Sequence, residues 1–484
     1  KLDNKLKFID LANVLAHANT VLLQTTMGAV AVTEQAIVNE SHKRNLIIPD
    51  RKYRKPHSTD AAVGAYVATP KKGLHDWIGA IDINSLYPSV IRSLNMGPET
   101  IIGQLRPTHT EKYINDKIYN EKKSPADAWE GLFGTLEYTA VIEQDRGTNI
   151  IVDFEDGTTE EMSGAELYAV IFQNNEDWCL SANGTIFNTQ EKAIIPGLLE
   201  RWFAERKVLQ GNMKEAIAKG NKEEIAFWDK RQLVKKINLN SLYGAILNPG
   251  CRFFDMRIGQ SVTLTGRCIT KHMGAKINEI VSGKYDHTGE SVVYGDTDSV
   301  YFSAHKTLMP EIQSGKIPWN KESVTALYDK IAEETNTTFP GFMNRAFHCP
   351  TTRGSVIKAG RELVASKGLF ITKKRYAVLY YDKEGERVDT GGKEGKVKAM
   401  GLDLKRSDTP VFVQDFLSDI LYKVLTSATE EQVLQAITDF RSDFKARPGW
   451  EKGSPKRANK ITEYWEKEKK QGKANMPGHV RASI

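Results

Sequence analysis

Two short apolar runs flank an acidic stretch past the middle of the chain. Residues 292–294 (Val-Val-Tyr) precede this stretch and residues 300–302 (Val-Tyr-Phe) follow it. β-Branched and aromatic residues on both sides of a short break that contains glycine are typical of a β-hairpin. In an extended strand, residues two apart lie on the same side, so we expect Asp296 and Asp298 to project together at the hairpin tip.

These two aspartates indicate a cation site. Carboxylates at short range raise one another's pKa unless a cation lies between them. Hard divalent ions such as Mg²⁺ take oxygen ligands, often beside substrate phosphates. The hairpin therefore predicts a metal site for phosphate chemistry, although an Asp-x-Asp sequence by itself is more often an ordinary polar turn.

A second apolar run also ends in a carboxylate. Residues 77–81 (Trp-Ile-Gly-Ala-Ile) predict a strand that leads to Asp82, and Pro88 follows after a short turn. Proline is favoured in the first turn of a helix, where backbone N–H groups attract anions. This segment is expected to place a metal-binding carboxylate beside a phosphate-binding helix start.

A third segment combines a cation, an amide and an aromatic ring. Lys236, Asn240 and Tyr243 are spaced i, i+4 and i+7, so a helix places all three on one face. This combination is unusual for a face that packs into a core. It suits a surface that binds a triphosphate and stacks on a base.

The surrounding pattern predicts a helical hairpin. Residues from Pro196 to about Leu247 have helical periodicity, with a break at residues 220–221 (Gly-Asn). Two helices of this length with a short connection form an antiparallel pair. Residues 249–385 are predicted to mix helices and strands, and the chain after Pro410 is predicted to be mostly helical.

Composition excludes several protein classes. The chain has 484 residues, of which 40% are hydrophobic and 26% are charged, as in ordinary globular proteins. It contains no apolar run of the roughly 20 residues that a membrane span needs, and no signal peptide is recognisable. Its four cysteines are too scattered for a zinc cluster or a disulfide scaffold, so reduced thiols and a cytoplasmic location are expected.

Positive charge is concentrated in two stretches. Residues 353–406 contain 14 Lys/Arg against 7 Asp/Glu, a net +7, and residues 451–484 contain 9 against 4, a net +5. Clustered basic residues are what binding to a phosphate backbone requires. Aromatic residues among the basic ones favour nucleic acid for residues 353–406, whereas residues 451–484 are equally well explained as a solvated basic face.

Taken together, these segments resemble the three polymerase motifs of the family B DNA polymerases, in that family's order. The matching residues are Asp82 with Ser-Leu-Tyr-Pro at 85–88, Lys236 with Asn-Ser-Leu-Tyr-Gly at 240–244, and Tyr-Gly-Asp-Thr-Asp-Ser at 294–299. Within that family they look like the replicative polymerases of T-even-like phages. Further matching stretches are residues 95–100, 373–376 and 400–402.

The resemblance implies an α+β, right-hand polymerase fold. The palm would combine an antiparallel sheet with helices, the fingers would be two helices, and the helical thumb would be partial. The expected boundaries are a lead-in at 1–75, palm at 76–195 and 249–385, fingers at 196–248 and partial thumb at 386–484. Only 81 residues precede Asp82, too few for the family's exonuclease, so a split or truncated polymerase is expected.

The resemblance also implies which residues carry the chemistry. Asp82, Asp296 and Asp298 would be catalytic, and Asp82, Ile83 and Asp298 would bind two Mg²⁺ ions, for which Mn²⁺ can substitute. Glu362 matches a supporting carboxylate, although the family branch carries Asp where Gly360 stands.

Two larger sets would bind the substrates. The expected nucleotide-binding residues are Ser85, Leu86, Tyr87, Arg206, Lys236, Asn240, Tyr243 and Gly244. Among them, Tyr87 would exclude a ribose 2′-hydroxyl. The expected DNA-binding residues are Lys373, Lys374, Arg375 and Tyr376, where a basic strand edge is the alternative.

The expected partners are primer-template DNA and dNTPs, together with a separate exonuclease-bearing polypeptide and a sliding clamp. Two other functions stay open at this point. One is a two-metal nuclease or phosphotransferase that uses the same carboxylates. The helix face that carries Lys236, Asn240 and Tyr243, called the Lys236 face below, disfavours this function. The other is a catalytically weak nucleic-acid-binding fragment of a split or truncated polymerase.

Overall fold

The computed structural model of the protein describes residues 8–50, 64–106, 143–453 and 461–471. Most of the basic stretch predicted at residues 451–484 lies outside these ranges. All of the predicted site residues lie inside them.

The described residues form helices and two antiparallel sheets. The α-helices are α1 (Phe8–Asn19), α2 (Ala29–Lys43), α3 (Leu86–Ser93), α4 (Gly164–Tyr168), α5 (Ile194–Ala218), α6 (Lys222–Ile246), α7 (Met256–Ser282), α8 (Met309–Gln313), α9 (Lys321–Phe347), α10 (Thr351–Gly354), α11 (Val411–Leu425), α12 (Glu430–Ala446), α13 (Gly449–Lys452) and α14 (Ile461–Gln471). The strands are β1 (Gly73–Ile83), β2 (Ile101–Leu105), β3 (Thr148–Phe154), β4 (Thr159–Ser163), β5 (Trp178–Leu180), β6 (Thr185–Asn188), β7 (Val292–Asp296), β8 (Ser299–Phe302), β9 (Ala359–Thr372), β10 (Arg375–Lys383), β11 (Glu386–Arg387) and β12 (Lys396–Met400). Short 3₁₀ or π turns lie at Leu23–Met27, Pro98–Thr100, Ala169–Gln173 and Asp403–Lys405.

The larger sheet has seven strands in the order β11-β10-β9-β1-β8-β7, and β12 also pairs with β10. All of its pairings are antiparallel. Strand β1 is central, because it pairs with β8 on one side and with β9 on the other. This mixture of helices and antiparallel sheet confirms the α+β prediction.

The alternation of side chains along β1 separates two cores. Ile81 and Ile83 belong to the main apolar core, which they share with residues of α7 and α9. Ile78 and Ala80 belong to a smaller core on the other face, which is rich in aromatic residues. Because successive strand residues point to opposite faces, the apolar run before Asp82 is buried on both sides of the sheet.

The second sheet has five strands in the order β4-β3-β2-β6-β5. It follows α3 in the chain and precedes the predicted helical hairpin. Its buried residues, such as Ile150 and Phe187, join the same main core.

The predicted helical hairpin is present as α5 and α6. Gly220 adopts a φ of 68°, which glycine tolerates, and the side chain of Asn221 accepts a hydrogen bond from the Glu224 amide as the N-cap of α6. The hairpin begins two residues before Pro196, where the Ile194 amide donates to Glu99 at 2.6 Å. The helical prediction for the chain after Pro410 is also confirmed, by α11 to α14.

The sheet extends past two boundaries drawn from the sequence. Strand β1 already begins at Gly73, within the expected lead-in, and β11 and β12 pair with β10 after residue 385. Residues 67–71 also run along the outer edge of β7, where Ala68 N–H donates to Gly295 O and Lys71 N–H donates to Val293 O, each at 2.9 Å. Among the described helices, none has the length and apolarity that crossing a bilayer would need.

Gly79 of β1 has no space for a side chain, so Gly79→Ala should destabilise the fold. An added Cβ would lie 2.6 Å from the ring of Tyr328 and 2.8 Å from that of Phe302. We expect the free energy of unfolding to fall by about 1–3 kcal/mol, the usual cost of overpacking a core. Urea denaturation followed by circular dichroism measures this change.

The matched control is Gly211→Ala in α5, where an added Cβ meets nothing within 4 Å. Alanine is favoured over glycine in a helix by up to about 1 kcal/mol, so this variant should be as stable as the parent or more so. Equal stability of both variants would contradict the packing described for Gly79.

Candidate active site

The acidic hairpin consists of β7 and β8 with a two-residue turn. Asp296 pairs with Ser299, and Thr297 and Asp298 form the turn between them. Thr297 has a φ of 61°, in the left-handed region. The prediction of an extended backbone from Asp296 to Asp298 is therefore wrong, because the chain reverses at Thr297 and the Asp298 amide donates to the Asp296 carbonyl at 2.7 Å.

Asp296 has cationic and neutral partners of its own. Its carboxylate accepts from Lys374 Nζ at 2.5 Å, from the Thr297 hydroxyl at 3.0 Å and from the Tyr294 hydroxyl at 3.2 Å. Charge-assisted hydrogen bonds of this kind hold a side chain firmly. Asp296 is thus the neutralised member of the acidic pair.

Asp82 lies directly beside the turn that carries Asp298. In the pairing of β1 with β8, Asp82 is opposite Ser299, and the next residue, Ile83, donates its N–H to the Asp298 carbonyl at 2.8 Å. Burial, reinforced by the charges of Asp298 and Glu362, raises the pKa of Asp82 to about 7. Burial also raises the pKa of Asp298, with the charges of Asp296 and Glu362 adding to the effect.

The Asp82 and Asp298 carboxylates fit a divalent cation that substrate oxygens complete. In the part of the chain that the structure describes, neither carboxylate forms an ion pair, and no three acidic, histidine or cysteine side chains form a metal cluster. Mg²⁺ commonly binds one or two carboxylates together with substrate phosphates and water, rather than a complete protein cage. Asp82 and Asp298 meet that description, because both are half-buried, burial raises the pKa of each, and the charge of Asp298 adds to the rise for Asp82.

Glu362 lies near this pair on β9. The register between β1 and β9 shifts from Ala80–Leu363 to Ile81–Arg361, which leaves Glu362 as the extra residue of a bulge. Lys398 Nζ contacts both of its oxygens, at 2.7 and 2.8 Å.

Lys398 is not among the residues predicted from the sequence. Its ammonium also donates to the Tyr301 hydroxyl at 3.0 Å, and its charge opposes the rise in the pKa of Asp82. The available signal was the alternation of basic and apolar residues at 396–399 (Lys-Val-Lys-Ala), immediately before the matching stretch 400–402.

The start of α3 presents backbone donors next to Asp82. Ser85, the N-cap, has φ 50° and ψ 58°, and its side chain caps no amide of the helix. The first N–H groups of a helix have no intrahelical acceptor. The amides of Leu86 and Tyr87 are therefore suited to an anion such as a phosphate.

Tyr87 connects α3 with α6 and α7. Its ring centroid is 4.5 Å from that of Tyr243, and a Cβ added at Gly266 would lie 3.3 Å from the Tyr87 ring. Burial raises the pKa of Tyr87 to about 12, and it raises the pKa of Tyr243 as well. Both rings are thus held in place by packing while remaining partly exposed.

The predicted face of α6 is open to solvent. Lys236, Asn240 and Gly244 are exposed, and Tyr243 is half-buried. Arg206 reaches across from α5, where its Nε donates to Gln232 at 3.3 Å, one turn before Lys236. The structure therefore places this cationic and aromatic face beside Tyr87.

The basic stretch 373–376 lies at the tip of the β9–β10 hairpin, where Lys373 and Lys374 form the turn and Arg375 and Tyr376 begin β10. Lys373, Lys374 and Arg375 are exposed, whereas Tyr376 is only 5% exposed. Its ring packs among aromatic residues, and its hydroxyl lies 2.9 Å from that of Tyr301. Tyr376 thus differs from its three neighbours, because it is part of the aromatic core.

Comparison with known proteins identifies the family of the chain. The model of DNA polymerase family B matches residues 20–471. The chain is 27% identical to the DNA-directed DNA polymerase of Escherichia phage RB69, over 88% of the chain and 47% of that protein. It is 25% identical to the DNA-directed DNA polymerase of Enterobacteria phage T4, over 95% of the chain and 51% of that protein.

More distant similarity extends to eukaryotes. The DNA polymerase delta catalytic subunit of Oryza sativa subsp. japonica is 23% identical over 90% of the chain and 31% of its own length. The chain spans about half the length of the phage relatives that it matches. Because the family match covers nearly all of the sequence, the chain belongs to DNA polymerase family B.

Proposed function

We propose that the chain carries out template-directed DNA synthesis, in which a primer 3′-hydroxyl attacks the α-phosphate of a dNTP and pyrophosphate leaves. The observation that carries this proposal is the adjacency of Asp82 and Asp298 beside the start of α3 and the Lys236 face. In this arrangement the larger sheet with α7 and α9 is the palm, α5 and α6 are the fingers, and α11 to α14 belong to a thumb.

Asp82 and Asp298, with Ile83 beside them, would hold two Mg²⁺ ions. Such ions activate the attacking oxygen and stabilise the leaving group in phosphoryl transfer. The protein's contribution is to hold the Asp82 carboxylate near the end of β1 and the Asp298 carboxylate on the adjoining hairpin turn, so that both are in position before substrate arrives. Glu362 contributes negative charge to the site, and Lys398 limits that charge.

The nucleotide would lie between α3 and α6. The amides of Leu86 and Tyr87, after the Ser85 cap, bind the terminal phosphates, and Lys236 neutralises their charge. Arg206 offers a planar group with several donors, whereas Lys236 acts as a point charge, so the two are complementary. The base stacks near Tyr243, with Asn240 and Gly244 along the same face.

The tip of the β9–β10 hairpin, at residues 373–375, would contact the duplex. Three exposed cations on a hairpin bind a phosphate backbone or donate into a minor groove, where base-pair acceptors are similar for every correct pair. The buried Tyr376 packs in the aromatic core next to this tip and helps to hold the tip in place. A separate exonuclease-bearing polypeptide and a sliding clamp stay predictions of the sequence.

Primer extension with the 484-residue chain, dNTPs and Mg²⁺ tests the proposal against its alternatives. Lengthening of a labelled primer supports polymerisation. Shortening supports the nuclease, and a gel shift with neither outcome supports a binding fragment.

Asp298→Asn should reduce primer extension by about a hundredfold or more, the scale of losing one electrostatic contact to a transition state. The same result is expected for Asp82→Asn, since both carboxylates would bind the same ions. Duplex affinity, measured by fluorescence anisotropy, should remain close to that of the parent.

Asp76→Asn is the matched control, because Asp76 lies on the same strand, with its carboxylate 3.3 Å from Lys367. This variant should extend primers like the parent. Normal extension by Asp298→Asn would remove this residue from the proposed site.

Tyr87→Ala should admit ribonucleotides. The packing of its ring against Tyr243 and Gly266 leaves it in one position, where it would occupy the space of a 2′-hydroxyl. Preference for dNTP over rNTP should fall at least about tenfold, the lower range for one group in a pocket. Tyr87→Phe retains the ring and should retain the preference, so loss of selectivity in both variants would contradict a steric role.

The effect of Mg²⁺ on stability should depend on pH. The pKa of Asp82 is raised from 3.8 to about 7, so the metal-free folded chain holds a proton that the unfolded chain releases. The stabilisation that this bound proton gives to the folded state is present at low pH and is lost as pH rises through about 7. Mg²⁺ requires the ionised carboxylate, so the increase in melting temperature with Mg²⁺ over EDTA should grow between about pH 6 and 8.

Asp82→Asn removes the titrating group and should give a smaller and flatter Mg²⁺ effect over that range. A Mg²⁺ effect in the parent that is independent of pH would show that Asp82 is not a ligand.

A further inference from the structure

The turn residue Thr297 has an unusual backbone conformation. A φ of 61° is in the left-handed region, which a β-branched residue rarely adopts. Such a conformation persists only where the surrounding structure holds it. Thr297 lies between Asp296 and Asp298. The contacts that hold the backbone of Thr297 therefore also set the position of the Asp298 backbone.

Two groups from other parts of the chain bind the backbone of Thr297. Its N–H donates to the Tyr66 carbonyl at 2.8 Å. Its carbonyl accepts from the Thr270 hydroxyl at 2.7 Å. The peptide groups on both sides of the strained residue are thus anchored, one by the segment before β1 and the other by α7.

Thr270 is fully buried and lies one turn after Gly266 on α7. Gly266 packs against the Tyr87 ring. Residues four apart share a helix face, so one face of α7 contacts both the proposed nucleotide pocket and the turn that carries Asp298.

The Thr270 hydroxyl has a second acceptor, the Gly266 carbonyl at 3.0 Å. Threonine hydroxyls in helices commonly donate to the carbonyl four residues earlier, and a single hydroxyl proton serves one acceptor well. The contact with Thr297 is the shorter one, and the Gly266 carbonyl already accepts the helical bond of the Thr270 amide. The Thr270 hydroxyl therefore donates mainly to the Thr297 carbonyl.

We propose that Thr270 is a positioning residue of the active site: its hydroxyl holds the Thr297 carbonyl and thereby fixes the Asp298 carboxylate relative to Asp82. This inference rests on the proposed function, because it assigns Thr270 a role in DNA synthesis. Thr270 contacts neither substrate nor metal in this role. Its effect is transmitted through the backbone of the turn.

Thr270→Val in the full chain tests the proposal, since valine retains the shape and removes the donor. We expect the turnover number for primer extension to fall about three- to tenfold, the effect of one hydrogen bond. The KM for dNTP should stay unchanged, because Lys236 and Tyr243 lie on α6. Thr270→Ser retains the hydroxyl and should restore turnover.

Thr335→Val is the matched control. Thr335 is a fully buried helical threonine whose hydroxyl donates to Ile331 O at 2.7 Å, four residues earlier, and it lies on α9. If Thr335→Val lowers turnover as much as Thr270→Val, or if Thr270→Ser fails to restore it, the positioning role is wrong.

Amide hydrogen exchange of the peptide spanning residues 292–302 gives a readout that does not need activity. Thr270→Val should accelerate exchange there, whereas Thr270→Ser and Thr335→Val should not. Unchanged exchange in Thr270→Val, or faster exchange throughout the sheet, overturns the proposal. If the parent chain extends no primer, the proposed function fails, and hydrogen exchange still decides whether Thr270 holds the turn.

Discussion

A single hydrogen bond, from the Ile83 amide to the Asp298 carbonyl, marks the contact on which the rest of the site depends. It continues the β1–β8 pairing to the last residue of β1 and into the acidic turn. Because strand pairing fixes the register of both chains, it also fixes which carboxylates become neighbours. A slip of one residue would turn Asp82 to the opposite face of the sheet.

Local features of this site could be predicted from sequence, and distant ones could not. The hairpin at residues 292–302 and the exposed face of α6 follow from the spacing of nearby residues, since strand and helix periods are local properties. The meeting of Asp82 with Asp298 is a property of strand order, and only the family resemblance supplied it. No sequence pattern indicated the left-handed conformation of Thr297, because Tyr66 and Thr270, which are distant in sequence, hold its backbone.

The acidic side chains divide into two kinds. Lys374 neutralises Asp296 and Lys398 neutralises Glu362, both through direct contacts. Asp82 and Asp298 form no ion pair among the described residues, and burial raises the pKa of each because it disfavours the charged form. The four carboxylates, although chemically alike, therefore fall into two that lysines hold and two that have no lysine contact among the described residues.

The segment at residues 67–71 covers the outer edge of β7. An outer strand with unpaired amides and carbonyls is a template for pairing with another molecule, and proteins generally cover it. Here the cover comes from chain that precedes the first strand of the sheet, through Val67, Ala68 and Lys71. The residue just before this segment, Tyr66, anchors the acidic turn through its carbonyl, which accepts from the Thr297 N–H. A change in the backbone path of residues 66–71 would therefore affect both the covered edge of β7 and the turn.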